Sequence, residues 1–210
     1  MPVTLEGSDF VATVTLNRPE AMNAIDPESA AELHEAWNEI STREDVRVGI
    51  LIGAGERAFC TGADLKKTMP PPESFAELHF GSRNGVPPVS TLQTQKPMIA
   101  AINGFALGGG LELAMLCDIR IAAKSAFVST GYAKIGLSGD YGIAWLLTRT
   151  IGSSRARELM FTAERVDAER CERIGLVNRV VDDAKLQDEA FAFAKSLAEG
   201  PRVALRSMKD

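Results

Sequence analysis

The sequence predicts an α/β fold, and three observations predict it. Strand-like apolar runs alternate with amphipathic helical ones from residue 10 to residue 123. The run from Ala100 to Asp118 reads as a buried strand, a glycine turn and a short apolar helix, the local signature of such alternation. A chain of 210 residues with 45% hydrophobic content has the length of one ordinary domain and side chains enough for a substantial core.

The elements follow in order. Phe10 to Leu16 has strand composition, and Asn17-Arg-Pro-Glu20 is a turn, because Pro19 disfavours helix in the residue before it. Asp26-Pro27 opens a helix, with Asp26 as N-cap and Pro27 at the first position. Ala30, Leu33, Ala36, Trp37 and Ile40 give that helix one buried face, with His34 beside it as a packed or partly solvated side chain. Val46 to Ile52 is a second buried strand, closed by Gly53-Ala-Gly55. Ala58 to Asp64 runs into a turn at Gly62, and the polar stretch from Leu65 to Gly85, with Pro70 to Pro72 and a solvated His79, reads as a mobile loop and short helix. Lys96 to Ile102 and Ile119 to Ala123 are strands. After Tyr141 the strand signals fade. Gly142–Thr150, Ser154–Thr162, Asp167–Gly175 and Asp183–Glu199 read as helices, the last with Ala190, Phe191, Phe193, Ala194 and Leu197 on its apolar face. Val177 to Val181 is a brief extended insert.

Composition narrows the function classes. A net charge of −5, two histidines and no basic run argue against nucleic acid as a partner. Cys60, Cys117 and Cys171 are odd in number and far apart, which suits reduced thiols in a cytoplasmic protein. The first residues do not read as a signal peptide, and no apolar run is long enough to span a bilayer, so no membrane partner is expected. No Cys/His cluster suggests a metal.

Chemistry concentrates at Gly108-Gly-Gly110. Glycines at a helix start leave backbone N–H groups uncovered, and these attract negative charge together with the helix dipole. Glu112 follows Gly109 by three residues, about one helical turn on. An anion cradle beside a carboxylate suits chemistry that builds charge on a carbonyl oxygen while a proton moves nearby. Glycines at a helix start often serve close packing alone, and a first-turn Glu often only complements the dipole. The pattern is neither G-x-G-x-x-G nor a P-loop.

Four separated segments together resemble the crotonase, or enoyl-CoA hydratase/isomerase, superfamily. They are Leu16-Asn-Arg-Pro-Glu-Ala-Met-Asn-Ala24, Ala58-Phe-Cys-Thr-Gly-Ala-Asp-Leu65, Ala101 to Asp118, and Ile135-Gly-Leu-Ser-Gly-Asp-Tyr-Gly142. The resemblance covers roughly residues 10 to 210 and implies a crotonase-like spiral of repeated ββα units. On that reading residues 1–150 form the spiral core with the CoA and oxyanion sites, and 151–210 a helical C-terminal region, shortened relative to the family. It implies an acyl-CoA thioester as substrate, no cofactor beyond the coenzyme A carried by that substrate, and a homotrimer or dimer of trimers. By motif, Ala63 and Gly109 are the oxyanion donors and Glu112 the acid/base. Ala21, Met22, Thr61, Gly62, Asp64, Leu65 and Lys66 resemble the edge that holds CoA, with Lys66 and Lys67 as either phosphate partners or solvated charges.

The chain also departs from the family pattern. Family hydratases use a second glutamate in a Pro-Glu pair, and alignment on Ile135-Gly136 puts Tyr132 there. A phenol with a pKa near 10 is a poor substitute for a carboxylate base; it can donate a hydrogen bond or pack on an acyl chain. Asp140 matches a functional aspartate of family isomerases and of a dehalogenase branch, and it fits equally an N-cap for a helix starting near Tyr141. Double-bond isomerisation is therefore expected to exceed hydration. The alternative is a non-catalytic, CoA-binding, oligomeric relative.

Overall fold

The computed structural model describes residues 1–68, 92–139 and 142–209 and has the expected α/β architecture. One sheet has six strands in the order β1 (Val3–Ser8), β2 (Val11–Leu16), β3 (Val48–Gly53), β5 (Met98–Ile102), β7 (Ile119–Ala123) and β10 (Arg179–Val181). β1 joins β2 antiparallel, and every later pair is parallel. The second sheet has four short strands, β4 (Ala58–Cys60), β6 (Phe105–Leu107), β8 (Phe127–Ser129) and β9 (Val166–Asp167), the first three parallel.

Chain order explains the spiral. β3 passes to β4, β5 to β6, and β7 to β8, so each turn lays one strand in each sheet and the next turn stacks on it in parallel. Among the described residues, helices α1 (Pro27–Thr42), α2 (Leu65–Thr68), α3 (Gly109–Leu116), α4 (Ile143–Ile151), α5 (Ser153–Thr162), α6 (Ala168–Arg173), α7 (Leu186–Ala198) and α8 (Arg202–Lys209) complete the chain. β3 and β5 are buried at every position, as near-continuous apolar runs in a sheet covered on both faces should be. α7 lies across β2, β3, β5 and β7. It buries Leu186, Ala190, Ala194 and Ala198, a stripe at i, i+4 spacing whose alanines let the helix lie close to the sheet, while Phe191, Phe193 and Leu197 are half-buried flanks. Residues after 150 thus place an edge strand in each sheet as well as helices.

α1 forms as the sequence indicates. The Asp26 side chain accepts from the Ser29 N–H and Pro27 stands at the first position. Its buried face holds Ser29, Leu33, Ala36, Trp37 and Ile40, with Ala30 and His34 half-buried at the margins.

Five strands, β1, β4, β6, β8 and β9, were not legible. β1 pairs with β2 through a turn in which Asp9 (φ +51°) and Phe10 (φ +65°) are both left-handed, so Phe10 belongs to the turn and not to the strand. Gly7 and Asp9 mask that hairpin in composition. β4, β6 and β8 have three residues each and β9 has two, too short for an alternation to register. Pro70 to Pro72, His79 and Asp140 lie outside the described residues. No helix among the described residues is long and apolar enough to cross a membrane.

Candidate active site

Three stacked turns build the site. In the four-stranded sheet Cys60 pairs with Ala106, and Ala106 with Val128. Three residues further along each strand stand Ala63, Gly109 and Gly131. Neighbouring strands lie about 4.8 Å apart, so register alone brings these residues side by side. They sit beyond the C-terminal ends of parallel strands, where open α/β sheets hold their ligands.

Ala63 forms an isolated parallel bridge with Ile25. Ile25 N–H donates to Gly62 O, and Asp64 N–H donates to Ile25 O, both at 2.8 Å. The residue facing such a doubly bonded partner turns its own N–H to the other side. Gly108 N–H still belongs to the β6–β8 side, donating to Ser129 O at 3.0 Å, and Gly108 O accepts from Glu112 N–H at 3.1 Å. Gly109 N–H therefore falls between the ladder and the first turn of α3. Among the described residues, the N–H groups of Ala63 and Gly109 have no backbone hydrogen-bond partner.

The two donors and Glu112 converge on one place. A Cβ on Gly62 would stand 3.0 Å from Gly109 N, so the two turns touch. A Cβ on Gly109 would stand 3.8 Å from Ala63 N and 3.7 Å from Glu112 Oε2. Bond geometry then keeps the two donor nitrogens within about 6 Å, close enough for one oxygen to reach both. Glu112 is fully buried, in a helix with six of its eight residues buried. A carboxyl group is costly to bury in such a setting, which makes Glu112 a candidate functional group.

The three glycines differ in purpose. Gly108 has φ +51°, a conformation L side chains rarely adopt. A Cβ on Gly110 would come within 2.0 Å of Cys60 O, so α3 lies directly on β4. Gly109 has neither constraint: the nearest atom to its added Cβ is Gly62 Cα at 3.4 Å. A methyl there would stand between Ala63 N and the Glu112 carboxyl group.

Tyr132 begins the 3-10 turn Tyr132–Ile135 one residue beyond this register. A Cβ on Gly108 would lie 3.7 Å from its Cζ, and one on Gly139 3.2 Å from its Cδ2. The ring is thus held between two glycines, with its hydroxyl-bearing carbon beside the start of α3. On the other side Thr61 Oγ1 donates to Met22 O at 3.2 Å, tying Ala21–Met22 to the Thr61–Asp64 turn. Leu65 and Lys66 are exposed at the start of α2. Lys67 differs from expectation: its Nζ is committed to Asp26 Oδ2 at 2.6 Å, so its charge serves the fold. Asp140 lies outside the described residues, and the N-cap position of α4 is held by Gly142.

Sequence reasoning missed two residues. Asn23, 1% exposed with φ +55°, accepts from Arg18 N–H and donates to Ala54 O and Ala58 O. Arg18 donates to Ala24 O and to Asp64 Oδ2. The available signal was an Arg and an Asn bracketing the Pro19 turn, two polar groups in a segment that must close against a core. Cys60 is two residues from Gly62, but burial pushes its thiol up to about 12, so it is not a nucleophile here.

The profile of the enoyl-CoA hydratase/isomerase family matches residues 6–210. The chain belongs to this family. It is 44% identical over 210 residues to the (E)-benzylidenesuccinyl-CoA hydratase of Thauera aromatica, covering 100% of this chain and 81% of that protein. It is 38% identical over 208 residues to the short-chain-enoyl-CoA hydratase of Clostridium acetobutylicum, covering 99% and 79%. The crystal structure of an enoyl-CoA hydratase from Bacillus anthracis superposes with a TM-score of 0.87 at 33% identity, covering 100% of this chain and 81% of that one. The chain is an enzyme of this family with the crotonase fold, and its helices and two sheets place family motifs where the stacked turns require them.

Within this family member the Asp26 cluster is a testable source of stability. Burial would raise the Asp26 carboxyl, but the Lys67 ammonium, Ser29 and the Arg18 guanidinium outweigh it and hold it well below its ordinary value of 3.8. A depressed carboxylate contributes stability that is complete above its unfolded pKa and is lost as pH falls below it. Asp26→Asn keeps a competent cap but loses the charge. It is expected to cost about 2 kcal/mol at pH 7, as for a hydrogen-bonded charge. In urea unfolding the gap to the unaltered protein should narrow steadily below about pH 4. A gap constant down to pH 2 would reject this account.

Proposed function

We propose that the enzyme adds water across the α,β-double bond of an enoyl-CoA thioester. Ala63 and Gly109 N–H hold the thioester oxygen, and Glu112 moves the protons. The observation that carries this reading is the convergence of both donors and the Glu112 carboxylate around the vacant Cβ position of Gly109. Water oxygen bonds to the β-carbon as Glu112 accepts its proton. The double-bond electrons move to the thioester oxygen as an enolate, and Glu112 returns the proton to the α-carbon. One water is added, and the step needs no oxidant or reductant. Each N–H aimed at the enolate oxygen is worth about 2.7–4 kcal/mol of barrier.

The relatives' names weigh against the preference for isomerisation drawn from Tyr132, since the two at 44% and 38% identity are called hydratases. In this reading the main chain at Ala21, Met22, Thr61, Gly62, Asp64, Leu65 and Lys66 holds the CoA portion, and the Tyr132 ring borders the acyl group. The resemblance adds Asp140 as a second acid, but the step above stands on Glu112 alone. Double-bond migration is the second reading, because a phenol occupies the place of the second glutamate.

A substrate panel of crotonyl-CoA, a 3-enoyl-CoA and (E)-benzylidenesuccinyl-CoA, followed by product mass and NMR, decides between them. Hydration is expected, with a product heavier by one water. Migration of the 3-enoyl double bond without hydration of any 2-enoyl thioester would select the second reading. CoA binding with no turnover would select a non-catalytic relative.

A further inference from the structure

The oxyanion reading makes the position of the Ala63 peptide critical, and Ala63 sits in an exposed turn. Its geometry is set by the bridge to Ile25, which holds Gly62 O on one side and Asp64 N–H on the other. A single bridge of two hydrogen bonds is a weak restraint for a donor whose aim decides catalysis.

Arg18 supplies the missing restraint. Its Nη1 donates to Ala24 O at 2.7 Å, and its Nη2 donates to Asp64 Oδ2 at 3.0 Å. Ala24 immediately precedes Ile25, and Asp64 immediately follows Ala63, so the guanidinium staples the two segments of the bridge from outside. Nη1 also lies 3.4 Å from Asp26 Oδ2, which is bound in turn to Lys67. Arg18 and Asp64 are each only 13% exposed at the side chain, so solvent screens the pair weakly. Asn23 fixes the backbone of Arg18 by accepting its N–H at 3.0 Å.

We infer that Arg18 is a positioning residue for the reaction: through Asp64 and Ala24 it fixes the peptide whose N–H receives the enolate oxygen. This rests on the oxyanion role given above to Ala63 and Gly109. Arg18 touches no reacting atom. A lysine keeps the charge but is a point donor without the planar fork, and it cannot hold both segments at once. Misplacement of about 1 Å at a reacting group can cost about 10²-fold in rate.

The test uses acetoacetyl-CoA, whose enolate absorbs in the near ultraviolet when its α-proton is lost to solvent and the oxygen charge is stabilised. The unaltered protein should show this band on binding. Arg18→Lys should bind acetoacetyl-CoA but show the band at least about tenfold weaker, and kcat should fall about 10–100-fold with KM within about twofold. Asp64→Asn, which keeps size and an acceptor oxygen, carries the same test if Arg18→Lys does not fold. It should lose less, because the neutral acceptor still meets the fork. An undiminished band and kcat in the folded variants, or a raised KM at constant kcat, overturns the inference while leaving the oxyanion reading intact. Absence of the band in the unaltered protein overturns the oxyanion reading and this inference with it.

Discussion

Glu112→Gln is expected to lower kcat by about 10²–10⁴-fold, the range for loss of a positioned acid/base. The carboxamide has the size and shape of the carboxyl, so packing of the fully buried side chain on α3 is retained. Thermal stability is therefore expected to hold. The functional loss is confined to the transition state, where the proton moves. kcat and kcat/KM should therefore fall together, with KM little changed. Steady-state kinetics on crotonyl-CoA, beside a calorimetric scan, measure both. A variant that keeps its kcat would remove Glu112 from the reaction and leave it a buried polar residue.

The reasons some features were legible and others were not are physical. α1 announced itself because Asp26, Pro27 and the Leu33, Ala36, Trp37, Ile40 stripe each act within one or two turns of chain. β3 and β5 announced themselves as buried apolar runs. β6 and β8 did not, because their three residues pair only with other turns of the spiral, and nothing local distinguishes them from loop. The site shows the same division. Gly108 to Glu112 could be read as an anion cradle and an acid from spacing alone. That Ala63 stands beside Gly109 follows from the Cys60–Ala106 register, which no local pattern encodes, and it reached the sequence reading only through the family resemblance. Lys67 was read as either a phosphate partner or a solvated charge because its actual partner, Asp26, is distant in sequence. Arg18 was invisible for the same reason: its worth lies in two contacts, one of them with Asp64.

Gly109→Ala is expected to separate activity from stability more sharply than any other substitution in the site. Gly109 has an ordinary helical backbone, with no positive φ, and its added Cβ meets nothing closer than 3.4 Å. Alanine there restricts the unfolded chain and suits the helix, so the variant should be more stable by about 0.4–1 kcal/mol. That corresponds to a rise of roughly 1–4 °C in Tm for a chain of this size. Yet the methyl would lie 3.8 Å from Ala63 N and 3.7 Å from Glu112 Oε2, in the space assigned to the thioester oxygen. Turnover should fall by at least about 10²–10³-fold, as when an oxyanion donor is lost. Gly110→Ala is the contrasting control. Its Cβ would stand 2.0 Å from Cys60 O, a backbone atom of β4, so that variant should be destabilised by about 1–3 kcal/mol or more, with a lower Tm. Differential scanning calorimetry with crotonyl-CoA turnover reads both quantities. An active, stabilised Gly109→Ala protein would place the thioester oxygen elsewhere and remove Gly109 from the site.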